Sequence, residues 1–131
     1  MDAIALAGET ADGFATAWNK HDMEALGQLF FEDADFVNVV GLHMRGRESI
    51  KEGHGAAHAG PYTDSTLDVE VDDAKEFVPG AVIAHWQTQL EGDARAPGQI
   101  RRTLMTVILE RRASTWKIVA AHNTGIAPAV T

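Results

Sequence analysis

The N-terminal half of the chain carries apolar residues at intervals of three and four positions, which is the period of an α-helix. This repeat predicts a first helix over residues 1–20. Its buried face consists of Ala7, Ala11, Phe14 and Trp18. Asp22 is a suitable N-cap for a short second helix that runs through Leu29 and Phe30. A third helix is predicted over 47–59, although its two internal glycines each cost roughly 1 kcal/mol against alanine.

Alternation of apolar and polar residues replaces the helical period in the rest of the chain and predicts β-strands. A first strand is predicted over 35–40, before the third helix. Four long strands then follow without another helix, over 67–77, 81–90, 100–110 and 116–126. Short turns separate them, so we expect hairpins. Helices followed by hairpin-connected strands indicate an α+β domain, with an antiparallel sheet that the helices cover on one face.

The strand over 100–110 is apolar on both of its faces. One face carries Leu104, Thr106 and Ile108, and the other carries Met105, Val107 and Leu109. Helices can cover only one face of a sheet, so the second needs another cover, and the simplest is a second copy of the same sheet. We therefore predict a homodimer that forms through the outer face of the sheet.

Composition narrows the class of protein. The 131 residues carry a formal net charge of −8 and no cysteine, so disulfides and cysteine nucleophiles are excluded. Excess negative charge disfavours nucleic acid and anionic membranes as partners. The chain has no apolar run of eighteen residues and begins without a basic leader. We expect a single domain over 1–131, located in the cytoplasm.

Several segments resemble the nuclear transport factor 2-like superfamily. Residues 17–22 and 29–36 resemble its passage from the first helices into the first strand. Residues 35–41 and the run Arg-Gly-Arg-Glu-Ser-Ile at 45–50 are similar to the SnoaL-like/DUF4440 branch, including the SgcJ/EcaC group, and residues 116–124 are similar to its last strand. The resemblance implies a cystatin-like α+β fold shaped as a cone. A strongly bent, antiparallel or mixed sheet would wrap around three helices and a pocket.

The resemblance implies less about activity. The superfamily includes ketosteroid isomerase, scytalone dehydratase, polyketide cyclases and non-catalytic members. Members of the SgcJ/EcaC group are often called oxidoreductases, but this chain has no dinucleotide fingerprint. Its nearest match, Gly53 to His58, lies inside a predicted helix and ends in histidine. We expect a reaction that needs no organic cofactor and no metal.

Two histidines of the third helix lie four residues apart and share a face. His54 and His58 could bind a metal together, could hydrogen-bond a ligand in a pocket, or could pack half-exposed on an amphipathic helix. The resemblance favours a pocket position for His54. A zinc protease motif is excluded because position 55 is glycine rather than glutamate.

The last strand offers His122 as a general base. Some SnoaL-like cyclases are thought to place a carboxylate on this strand, and here histidine occurs instead. An imidazole can accept a proton near neutral pH. We place His122 on the face of Trp116 and Ile118, with Asn123 opposite unless a bulge intervenes. His85 either lies on a solvated or dimer-facing surface or pairs with His122 in the pocket.

Asn38 interrupts two valines of the first predicted strand. A buried amide needs a partner, so Asn38 either orients a substrate oxygen or bonds a neighbouring loop. Aromatic residues could line a pocket for a ring system, although such spacing also suits plain core. The residues we assign to substrate binding are Phe14, Trp18, Phe36, His58, His85, Trp86 and Asn123.

These observations predict a pocket that holds a small, mostly apolar molecule with a carbonyl or hydroxyl group, polyketide-like or steroid-like. As an enzyme the protein would be a lyase, isomerase or cyclase that works by proton transfer. His122 would act as the base, while Asn38 and His54 polarise the substrate oxygen. The alternative is a non-catalytic module for ligand binding or dimerisation, in which the same histidines are structural.

Overall fold

The computed structural model describes residues 2–127, which form three helices and six strands. In chain order the elements are α1 (Ala3–Asn19), α2 (Met23–Gly27), β1 (Phe30–Val37), β2 (His43–Arg45), α3 (Arg47–His58), β3 (Thr66–Val78), β4 (Ala81–Glu91), β5 (Arg101–Arg112) and β6 (Thr115–Gly125). No helix within residues 2–127 combines the length and apolar character needed to cross a bilayer.

The first two helices begin where a capping side chain satisfies their first amide groups. Asp2 accepts hydrogen bonds from the amides of α1, and Asp22 accepts one from Ala25 at the start of α2. The second helix ends at Gly27, earlier than predicted, because Phe30 is fully buried as the first residue of β1. Glycine within α3 has a steric reason, since a Cβ at Gly53 would lie 2.5 Å from the Met44 sulfur.

One mixed sheet contains all six strands, in the order β2-β1-β6-β5-β4-β3. Every neighbouring pair is antiparallel except β1 and β6, which run parallel. The predicted α+β class is confirmed. Three details differ from the strand prediction: β1 starts five residues earlier, it ends at Val37 rather than at residue 40, and a short strand, β2, pairs with it. The acidic pair Glu32 and Asp33 lies exposed within β1 rather than before it.

A bulge in β6 decides which of its side chains face inward. Leu109 pairs with Ile118, whereas Ile108 pairs with Ala120, so Val119 is an extra residue in the ladder. An extra residue shifts the alternation of faces by one. Ala121 therefore continues the buried face of Ile118.

The core lies between the helices and the inner face of the sheet. It includes Phe14 of α1, Trp86 of β4 and Val107 of β5, each at most 2% exposed. The outer face of β5 carries Leu104 and Ile108, which are only half-buried, whereas Met105 and Val107 on the inner face are buried. Both faces of this strand are thus apolar at the centre, as the sequence predicts.

Candidate functional site

A cavity of about 160 Å³ lies between the helices and the inner face of the sheet. It is similar in size to a cavity of about 150 Å³ that holds one benzene molecule. Six of the residues that we predicted for the site line it: Phe14, Trp18, Phe36, Asn38, His54 and Asn123. The structure therefore brings together side chains from α1, α3, the end of β1 and β6.

His54 presents one free ring nitrogen to this cavity. Its Nδ1 lies 2.8 Å from the carbonyl oxygen of Ile50. A carbonyl only accepts, so Nδ1 carries the proton and Nε2 is left as an acceptor. The ring of Phe36 packs edge-on at 4.8 Å, and that of Trp18 at 6.1 Å. Burial lowers the pKa of His54 below its ordinary value of 6.5, so the imidazole is neutral at pH 7.

Asn123 faces the cavity from β6, where it pairs with Met105 of β5. Its buried Oδ1 has no hydrogen-bond partner within residues 2–127. Nearby on the inner face, the hydroxyls of Thr88 and Thr103 bond to each other across β4 and β5. A buried polar atom without a partner is costly, so a ligand that donates a hydrogen bond to Oδ1, from a hydroxyl for example, would relieve this cost.

Asn38 has a structural role that leaves only part of its side chain available to a ligand. Its Oδ1 accepts hydrogen bonds from the amides of Val40 and Leu42, at 3.1 and 2.9 Å. These bonds close the turn between β1 and β2, in the manner of an Asx turn. Of the two alternatives left open by the sequence, loop bonding accounts for the carbonyl oxygen. Only the Nδ2 donors of Asn38 remain for a ligand.

Two arginines that sequence reasoning did not assign to the site also line the cavity, Arg95 and Arg101. Both bind Asp93, whose side chain is only 1% exposed. Arg95 holds this carboxylate with Nε and Nη2, each at 3.0 Å, and Arg101 holds it with Nη1 at 2.6 Å. Hydrogen bonds from Arg95 and then from Arg101 lower the pKa of Asp93 to about 2.

The sequence pattern could have indicated that Arg101 faces the cavity. It shares the alternating face of Thr103, Met105 and Val107, which is the inner face of β5. Arg95 lies in the loop between β4 and β5, where no periodicity reports its orientation. Its guanidinium packs 5.3 Å above the ring of Tyr62.

His122 and His85 do not line the cavity. The predicted inward position of His122 is wrong, whereas His85 takes the surface position that was one of its two predicted alternatives and does not serve the substrate site. The bulge at Val119 turns His122 to the outer face, where it is exposed, and brings Asn123 inward in its place. His85 is also on the outer face, and its Nδ1 bonds Asp73 Oδ1 at 2.7 Å. The two histidines lie in one row across the sheet, each paired with Thr106 of the strand between them.

His58 and Trp86 do not line the cavity either, since both are packed behind residues that do. His58 contacts the ring of Trp18 at 4.4 Å, and its Nδ1 lies 2.7 Å from Nδ1 of His21. Trp86 is fully buried and packs against Phe14 at 5.8 Å. Within residues 2–127, no three histidine, aspartate or glutamate side chains converge on a common point.

The buried position of His58 predicts a loss of stability in mild acid. Burial, followed by the nearby His21 and His54, lowers the pKa of His58 to about 4. The unfolded chain therefore binds more protons than the folded one between pH 6.5 and 4. Over this interval the free energy of unfolding is expected to fall as the pH falls, by roughly 2 kcal/mol from His58 alone.

Urea denaturation at pH 7 and pH 4.5 measures this effect. The variant His58→Gln should lose less stability over the interval than the wild type, because the titrating group is gone. His122→Gln is the matched control, since His122 is exposed on the outer face. An unchanged pH dependence in His58→Gln contradicts the prediction.

Comparison with known proteins identifies the family. Residues 11–120 match the model of the SnoaL-like domain. No curated protein matches the chain. An uncharacterised protein with a cystatin-like fold from Caulobacter vibrioides is 26% identical, with a TM-score of 0.84 over 93% of this chain and 88% of the other.

Two further solved structures share the fold at lower identity. A ketosteroid isomerase-like protein from Erwinia carotovora atroseptica is 14% identical, with a TM-score of 0.79 over 95% of this chain and 97% of the other. A candidate dehydratase of the NTF2-like family from Streptomyces avermitilis is 13% identical, with a TM-score of 0.77 over 95% and 96%. The cystatin-like fold is thus established, and the match over most of its length shows that this chain belongs to the SnoaL-like domain family.

Proposed function

We propose that this protein binds a small, mostly apolar molecule with a carbonyl or hydroxyl oxygen and catalyses a proton transfer on it. The reaction class is that of a lyase, isomerase or cyclase that uses no organic cofactor, and His54 is the general base. One observation carries the proposal: His54 is held neutral where it borders the cavity, with Nδ1 bound to Ile50 and Nε2 free.

The contacts of His54 suit this role. The hydrogen bond from Nδ1 to the backbone fixes both the tautomer and the orientation of the ring. The free Nε2 can then accept a proton from a carbon next to a carbonyl group. Aromatic rings of Phe36 and Trp18 exclude water around it. Negative charge that develops on the substrate oxygen would be met by the Nδ2 donors of Asn38.

The cavity volume narrows the ligand class. About 160 Å³ accommodates one ring with short substituents or a compact pair of fused rings, whereas a four-ring steroid is far larger. The proposed ligand is therefore a single-ring or comparably small metabolite. Within the family we place the chain in the SgcJ/EcaC group, on the residues 45–50 and 116–124 quoted above. Two of the similar structures are named as a ketosteroid isomerase-like protein and a candidate dehydratase. Both names refer to reactions that move a proton, which supports the proposed reaction class.

A generic base assay tests the proposal without knowledge of the natural substrate. In 5-nitrobenzisoxazole a base removes the C3 proton while the N–O bond breaks, which releases a coloured cyanophenolate. We expect saturable turnover whose rate rises with pH through the lowered pKa of His54 and is level by pH 7. Binding of the probe without turnover would instead favour the non-catalytic ligand-binding module, and absence of both would contradict the cavity function.

We also propose that the outer face of the sheet pairs with a second copy of the chain. Half-buried apolar side chains of β4 and β5 lie at its centre, among them Ile83, Leu104 and Ile108. They remain partly exposed, whereas the inner-face residues of the same two strands are buried. A two-fold interface places the same patch on both subunits, so a self-complementary apolar centre suits it.

A charged residue at the centre of this patch is expected to separate the subunits. Leu104→Glu places two like charges near the two-fold axis, which should convert the dimer to monomer at micromolar concentration. Sedimentation velocity measures the state, with Gln28→Glu on the exposed helix side as the matched control. A monomeric wild type at this concentration contradicts the proposed dimer.

A further inference from the structure

The charge of the cavity wall differs from that of the protein as a whole. The chain has a formal net charge of −8. Among residues 2–127, the charged side chains that line the cavity are Arg95 and Arg101, and no aspartate or glutamate lines it. Asp93 binds both arginines from behind and compensates one of the two positive charges. One net positive charge therefore remains at the cavity wall.

Arg101 has donors to spare. One of its Nη1 protons is taken up by Asp93, whereas Arg95 gives both Nε and Nη2 to the same carboxylate. A guanidinium carries five N–H donors in a planar fork that matches the two oxygens of a carboxylate. Arg101 therefore holds unused donors at the cavity wall, fixed by a carboxylate that is itself buried.

The arginines occupy one end of the site and His54 the other. A series of ring contacts leads from His54 to Trp18, then to Tyr62, and from Tyr62 to the guanidinium of Arg95. On the sheet side, Arg101 and Met105 are four residues apart on one face of β5, which is roughly 13 Å. Asn123 lies level with Met105. A molecule in the cavity can thus have a charged end and a reacting end.

We infer that the ligand of this cavity is a small organic acid, with its carboxylate bound by Arg101 and its apolar body directed toward His54. This inference rests on the proposed function and names the substrate class for the same site. A single compensating charge suits a carboxylate monoanion, because a phosphate dianion would leave negative charge uncompensated. The side chains of Arg95 and Arg101 are 57% and 36% exposed, so they can also attract anions from solution to a protein whose net charge otherwise repels them.

Benzoate and benzamide are the probes, since they share ring and shape and differ in charge. Binding is followed by ¹H–¹⁵N chemical-shift changes of cavity residues such as Thr103 and Asn123. We expect benzoate to bind about tenfold more tightly than benzamide. The variant Arg101→Gln should weaken benzoate by about that factor and leave benzamide unchanged.

Arg102→Gln is the matched control, because Arg102 is adjacent in sequence, carries the same charge and points to the outer face. Equal weakening of benzoate by Arg101→Gln and Arg102→Gln would overturn the inference, since a general change of protein charge would then explain it. Equal affinity of the wild type for both probes would overturn it while the cavity function stands. Failure of both probes to bind would overturn it together with the proposed function.

Discussion

Replacement of His54 by glutamine is expected to lower the rate of proton transfer to 5-nitrobenzisoxazole at least a hundredfold. A positioned general base contributes about 10² to 10⁴ in rate, and no other imidazole of residues 2–127 lines the cavity. Glutamine preserves the approximate size and polarity of the side chain but cannot accept a proton near neutral pH. The decrease in rate should appear in kcat, with little change in KM, because the apolar side chains that bind the probe remain.

The control for this prediction is His122→Gln, which changes a histidine on the outer face of the sheet. Its rate should stay within about twofold of the wild type, and its pH profile should be the same. If His54→Gln retains most of the rate, or if both variants lose it equally, His54 is not the base. The pH profile gives a second check, since only the His54 variant should lose the rise below pH 7.

Replacement of Gly92 by alanine should destabilise the protein by about 3 kcal/mol. Gly92 has a φ of +84°, which disfavours any side chain, and it lies against the backbone of the segment before β3. A Cβ there would be 2.4 Å from the carbonyl oxygen of Asp64 and 3.1 Å from the Cα of Ser65. Both are backbone atoms, so no side-chain rotation can relieve the contact.

Gly98→Ala tests how much of this effect comes from backbone conformation alone. Gly98 belongs to the same loop and has a φ of +74°, but a Cβ there meets no atom within 4 Å. It should cost about 1 kcal/mol. Urea denaturation measures both variants, and equal losses would contradict the steric argument. The Gly92 variant should also weaken benzoate, since Gly92 directly precedes Asp93, which holds the two arginines.

Sequence patterns predicted the elements better than the site. The first helix, the third helix and the four long strands all lie where periodicity places them, because each is long enough to show several repeats of its period. The exceptions are short. β2 has three residues, too few to show an alternation, and β1 begins at Phe30, which only Gln28 and Leu29 separate from the end of α2.

The site depends on details that alternation alone does not report. One extra residue at Val119 exchanges the faces of His122 and Asn123, and the position of a bulge follows from pairing with neighbouring strands. Asn38 has a local role that only the turn geometry reveals, because two backbone amides occupy its Oδ1. Arg95 lies in a loop without periodicity. The sequence therefore predicts which types of residue line a pocket. Strand register and loop packing determine which individual side chains lie together in it.

The parallel pairing of β1 with β6, the second and third strands of the sheet, has a consequence for how the chain folds. Phe36 of β1 pairs with Ala121 of β6, about 85 residues later. Closure of so long a loop has a high entropic cost, and topologies rich in distant contacts fold slowly. During synthesis, strands β3, β4 and β5 can form hairpins as they leave the ribosome. Strand β1 cannot pair with β6 until the end of the chain has been made. Phe36 and Asn123 lie on these two late partners, so the cavity should be completed only in the final step of folding.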